Sequence, residues 1–104
     1  MQDAILILVT AGTPENAEAI ASALVEQQLA ACVAIVPICS VYRWQGVVER
    51  DDEWQLTIKT TRTQLAAVQD IVQKLHTYEL PEVLAIPVLG GSEDYLTWLT
   101  QQVR

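Results

Sequence analysis

An α+β fold, with strands and helices in the order βαββαβ and one further helix at the C-terminus, is what the sequence predicts. Three patterns carry that prediction. Apolar, β-branched runs of strand length recur at Ala4–Val9, Val33–Val41 and Val83–Val88. Two other stretches, centred on Ile20 and Val68, repeat their apolar residues at helical spacing. Gln45-Gly46 is the best hairpin turn, with the glycine-free Arg50-Asp51-Asp52 as the alternative, between the second strand and a third that alternates at Trp54, Leu56 and Ile58. Elements in this order make the split βαβ, or ferredoxin-like, arrangement: an antiparallel sheet with two helices on one face.

Each element has its own signals. Ala4–Val9 is continuously apolar, as a central strand buried on both faces requires. Thr13-Pro14-Glu15 offers an N-cap, a proline at the first helical position and an acid in the first turn. Ala17, Ile20, Ala21, Leu24 and Val25 then share one helical face, and this helix is expected to end near Gln28. Pro37 cannot donate to a ladder, so the second strand should be an edge or bulged at that point. Thr63 is a candidate cap for a helix whose apolar face is Leu65, Val68, Ile71, Val72 and Leu75. After the loop His76–Pro81 and the fourth strand, Gly90-Gly91 breaks the chain. Ser92 then caps a last helix expected to bury Tyr95, Leu96, Trp98 and Leu99. The segment Ala31–Gly46 is longer than so small a domain needs, which predicts a sheet edge that pairs with another subunit.

Composition bounds the function. The 104 residues imply one domain, spanning 1–104. Apolar residues make up 51% and charged residues 18%, so apolar surface is left over for burial between subunits. Six Lys+Arg against thirteen Asp+Glu give a net charge of −7, which argues against nucleic acid and against an anionic membrane. A cation or a neutral ligand is compatible with that charge. Met1-Gln2-Asp3 has no basic leader, and no apolar run approaches the roughly 18 residues that span a bilayer. A cytoplasmic protein with reduced thiols at Cys32 and Cys39 is the expectation.

Cys32 and Cys39 are separated by an odd interval, so on an unbroken strand they point to opposite faces and read as two separate thiols. His76 is the one histidine, at the expected end of the second helix, and Tyr78, Glu79 and Glu82 follow it closely. Alternation puts Tyr42 and Trp44 on one face of their strand and Arg43 on the other. These residues are either an aromatic cover with a solvated arginine or a cleft wall in which Arg43 grips an anionic group. Glu49, Asp51, Asp52 and Glu53 read as a solvated strand end, lacking the turn glycine of a calcium loop. No nucleophile–base set and no phosphate-cradling loop is visible, and the chain is not expected to be an enzyme.

With these residues laid out, the chain resembles the CutA family of divalent-cation tolerance proteins. The resemblance runs through LAACVAIVP (Leu29–Pro37), SVYRWQG (Ser40–Gly46), IKTTRTQL (Ile58–Leu65), HTYELPEVLAIPV (His76–Val88) and DYLTWL (Asp94–Leu99). It implies a ferredoxin-like fold assembled as a tight homotrimer, similar to the PII signalling proteins, with clefts between subunits. It also implies an association with copper and other divalent cations. Val9 and Leu75 stand where some members carry a cysteine and a second histidine, and Thr77 replaces a proline. Only His76 of that proposed copper set remains, so weak or trimer-assembled copper(II) binding is expected. The expected ligand cleft joins His76, Tyr78, Glu79 and Glu82 to Arg43, Trp44 and Lys59 from an adjacent strand pair. The alternative is a PII-like signalling module that acts on a partner protein, with metal binding incidental.

Overall fold

The computed structural model describes residues 3–104; Met1 and Gln2, which carry part of the expectation about a leader, lie outside the described residues. Seven elements follow one another: β1 (Ala4–Ala11), α1 (Pro14–Glu26), β2 (Cys32–Trp44), β3 (Val47–Thr61), α2 (Leu65–Leu75), β4 (Leu84–Pro87) and α3 (Glu93–Gln102). The strands form one antiparallel sheet in the order β2-β3-β1-β4. This is the ferredoxin-like α+β arrangement expected from the sequence.

β1 is central because both its neighbours pair along it, and its odd-numbered residues build the core. Ile5, Ile7, Val9 and Ala11 are buried together with Leu56 and Ile58 of β3, against Ala17, Ile20 and Leu24 of α1 and Val68 and Val72 of α2. On the opposite face Leu6 and Leu8 are only half-buried. The sheet therefore has one covered and one partly open face.

α1 starts as expected, with the Thr13 hydroxyl accepting from the Asn16 amide at 3.0 Å and Pro14 in the first turn. Val25, assigned by spacing to the buried face, is exposed. The helix ends two residues before Gln28, which adopts a left-handed φ of 60°. Gln28 N–H bonds the Val25 carbonyl and Leu29 N–H bonds the Leu24 carbonyl, so the end is a Schellman motif built without glycine. The Thr60 hydroxyl, fully buried, donates to the Leu29 carbonyl at 2.6 Å and pins this turn to the sheet.

Three expectations are corrected. Thr63 does not cap α2: it lies in a single 3₁₀ turn, Arg62–Gln64, with its hydroxyl 3.2 Å from that of Thr61. Leu75, placed on the apolar face of α2, is exposed at the helix end. In α3 the Ser92 cap holds, accepting from the Tyr95 amide, and Leu99 is buried, yet Tyr95 and Trp98 are each 41% exposed. Helical spacing identifies a common face but not what covers it.

β2 is an edge strand, and Pro37 sits in it without a bulge, because the register Cys32↔Lys59 to Trp44↔Val47 is unbroken. Gln45 (φ 51°) and Gly46 (φ 83°) close the hairpin as a two-residue turn with both central residues left-handed. β1 pairs with β3 only from Trp54 to Thr61. Beyond that point Ile38–Trp44 and Val47–Glu53 pair only with each other. The result is a two-stranded arm about 23 Å long at about 3.3 Å per residue. Val41, Val47 and Val48 on this arm are exposed.

Candidate functional site

The root of the arm, the end of β1 and the loop after α2 meet at one place. α2 stops at Leu75, whose carbonyl accepts from the Asn16 side chain at 2.9 Å. The His76 backbone N–H still bonds the Val72 carbonyl, but its extended ψ turns the chain away from the helix. The His76 ring then fastens the loop to β1. Nδ1 accepts from the Tyr78 backbone N–H at 3.0 Å, and Nε2–H donates to the Thr10 carbonyl at 2.6 Å. Those partners fix the neutral Nε2–H tautomer.

Tyr78 lies 4.8 Å from the His76 ring, centroid to centroid, and reaches across Gly12 to donate its hydroxyl to Glu53 Oε2 at 2.6 Å. A Cβ on residue 12 would sit 2.9 Å from that hydroxyl, so the crossing needs glycine there. Burial, and then the bond to Glu53, push the Tyr78 phenol well above its ordinary range. Glu53 is only 6% exposed. Together with the Glu53 charge, burial also raises the Glu82 carboxyl, burial being the larger cause. Tyr42 donates to Asp51 along the arm, and that bond chiefly lifts its hydroxyl to about 12.

These groups border an open cleft of about 880 Å³. Tyr42 and Trp44 of β2, Glu53 of β3 and Tyr78, Glu79 and Glu82 of the loop all line it. Of the expected cleft residues, Trp44, Tyr78, Glu79 and Glu82 are brought together, with His76 behind them as the loop's anchor. Arg43 and Lys59 are not part of this wall. Arg43, on the other face of β2, donates to the Gly46 carbonyl at 3.2 Å. Lys59 lies six residues from Glu53, about 20 Å along β3 at about 3.3 Å per residue. Its ammonium bonds the Tyr95 hydroxyl at 3.3 Å, which holds it above its ordinary value, and lies 5.4 Å from that ring's centre.

Glu53 and Gly12 are site residues that the sequence reading did not assign, while Tyr42, left open there as aromatic cover or cleft wall, lines the cleft. Glu53 belongs to a run read as solvated, and that reading is corrected for it. Strict alternation with Trp54 inside the core would have put Glu53 on the cleft face, but its partner Tyr78 is 25 residues away. Chemically the cleft is anionic and aromatic, fit to hold a positively charged or amphipathic ligand. Among the described residues no three His, Cys, Asp or Glu side chains converge as a metal-binding cluster. Both nitrogens of His76 are already engaged. The side chains of this single chain therefore do not fit a metal centre.

A PII-like, ferredoxin-fold chain with an acidic aromatic cleft at the base of a hairpin arm is the class that the fold and site define. A family profile described as CutA1 divalent ion tolerance protein matches residues 5–102. The divalent-cation tolerance protein CutA of Thermus thermophilus is 45% identical over 97 residues, covering 92% of this chain and 94% of that one. The chloroplastic protein CutA of Arabidopsis thaliana is 44% identical over 101 residues, 96% of this chain but 56% of that longer one. The solved structure of the Thermus thermophilus Cut A1 protein superposes with a TM-score of 0.94 at 43% identity, covering 97% of this chain and 99% of that one. The chain belongs to the CutA family of divalent ion tolerance proteins.

Proposed function

We propose that this chain is a single-domain, homotrimeric and cytoplasmic binding protein that takes a divalent cation or a small ligand in clefts between subunits. Divalent-cation tolerance would then follow from binding rather than from catalysis. One observation carries the reading. A cleft of about 880 Å³ with carboxylate and aromatic walls opens at the root of an arm that its own chain leaves uncovered. A lone two-stranded hairpin is marginal in water, so the arm calls for a neighbouring subunit, which would also close the cleft. Trp44, Tyr78, Glu79 and Glu82 are the proposed ligand contacts. Arg43 and Lys59 enter the proposal only as contacts offered by an adjacent subunit.

His76 is proposed to position the loop. Copper(II) on this chain would need donors from more than one subunit or the loss of a His76 hydrogen bond, and weak binding is expected. A PII-like reading draws on one specific observation, that most of the cleft's loop wall has no regular secondary structure between α2 and β4. Such a segment reorders on ligand binding and can signal to a partner protein.

Light scattering tests the assembly: a mass three times the 11.5 kDa chain is expected, and a monomer would remove the inter-subunit cleft. Calorimetric titration with copper(II), comparing wild type with His76→Ala, tests the metal. Equal affinity would show that His76 is not a direct ligand.

A further inference from the structure

The cleft holds a negative charge that its own walls do not answer. Glu53 is only 6% exposed and lines the cleft, and Tyr78 occupies its Oε2. Its second oxygen, Oε1, takes no hydrogen bond from the described residues. That oxygen is not among the buried unpaired side-chain atoms, so it opens onto the cleft, where a cation can pair with it. Glu79 and Glu82 line the same space, and no lysine or arginine does. Burial is the larger cause of the upward push on Glu82, and the nearby Glu53 charge adds the smaller part.

The rest of the lining says what kind of cation fits. Tyr42 and Trp44 stand two residues apart on one strand face, about 7 Å at about 3.3 Å per residue, and Tyr78 comes from the loop. Aromatic faces attract organic cations but give nothing to the coordination sphere of a hard dication, which needs several oxygen donors at close range. No such donor cluster is present among the described residues. The space, about 880 Å³, is that of a pocket for an organic molecule.

Resting on the cleft reading above, we propose that the occupant is an alkylammonium ion, with its positive nitrogen on Glu53 Oε1 and its carbon chain against Trp44, Tyr42 and Tyr78. Glu82 at the rim adds attraction, and Tyr78 holds the Glu53 carboxylate in place from its other oxygen.

The test is a titration of the full chain with n-butylammonium chloride, followed by the indole N–H signal of Trp44 in NMR and by calorimetry. The uncharged 1-butanol and sodium chloride at equal concentration serve as controls. Saturable movement of the Trp44 signal with butylammonium, and none with the controls, is the expected result. Glu53→Gln should weaken binding by roughly tenfold or more, and Trp44→Leu by roughly fivefold. Circular dichroism melts establish that both variants are folded. Saturation by 1-butanol or copper(II) but not by butylammonium would overturn the ammonium proposal and leave the ligand cleft standing. A Trp44 signal unmoved by any of these ligands would overturn both. Equal butylammonium affinity in wild type and both folded variants would place the ion elsewhere and overturn the proposal as well.

Discussion

Tyr78 is the residue on which the cleft wall depends, because its backbone is held by His76 and its hydroxyl by Glu53. Tyr78→Phe removes the donor and leaves a buried carboxylate oxygen unpaired. A loss of about 1–3 kcal/mol is expected, measured by urea unfolding at fixed protein concentration. Glu53→Gln should cost less, since its amide oxygen still accepts from Tyr78 and a buried charge is removed. Glu82 makes the complementary point about pH. Burial and the Glu53 charge raise its carboxyl above the ordinary glutamate value, so the folded chain holds that proton more tightly than the unfolded chain does. Stability from this group is full below the ordinary glutamate pKa, near 4.3, and is lost as pH rises through the raised folded value. Glu82→Gln should therefore raise the melting temperature near neutral pH, with the gain fading at about pH 4 and below. A constant gain at all pH values would show that charge is not the cause.

The elements show which parts of the fold were legible. Local signals were sufficient for the Thr13 cap, for the Gln45-Gly46 turn and for the edge position of a proline-bearing strand. Each depends on residues within one or two turns of chain. The burial assignments that failed depend on distant chain, whereas the Thr63 cap failed locally. The exposure of Tyr95 and Trp98 reflects what does not cover α3, and Thr63 lost its capping role to a 3₁₀ turn. For the site, strand alternation already separated Arg43 from Tyr42 and Trp44. The Tyr78–Glu53 bond spans 25 residues and had no local signature. The arm offers an element-scale prediction. Gly46 has a φ of 83°, in the left-handed region, and no side chain crowds it. Gly46→Ala should cost about 1 kcal/mol through backbone strain alone. A melting temperature unchanged by this substitution would show that the turn adapts.

At the scale of the molecule, the open face of the sheet is too apolar to face water over its whole extent. Leu84 and Ile86 of β4 pair with Leu8 and Leu6 and share that face with them, and Leu84 and Ile86 are 57% and 43% exposed. Val36 on β2 and Trp98 on α3 are further exposed apolar residues. Exposed apolar surface of this kind marks an association surface, and the proposed trimer would bury it. That burial has to overcome the mutual repulsion of three chains, each with a net charge of −7. Two measurements then separate the contributions. Ile86→Asp puts a charge into the apolar face without touching the core, so it should lower the light-scattering mass to that of one chain and lower the melting temperature with it. In the unaltered protein, raising sodium chloride from about 0.01 M to about 0.5 M shortens the screening length from about 30 Å to a few Å. The melting temperature should rise as the like charges are screened. If Ile86→Asp keeps the wild-type mass, the open face is not the seam. Assembly would then have to be assigned to the arm and its exposed valines.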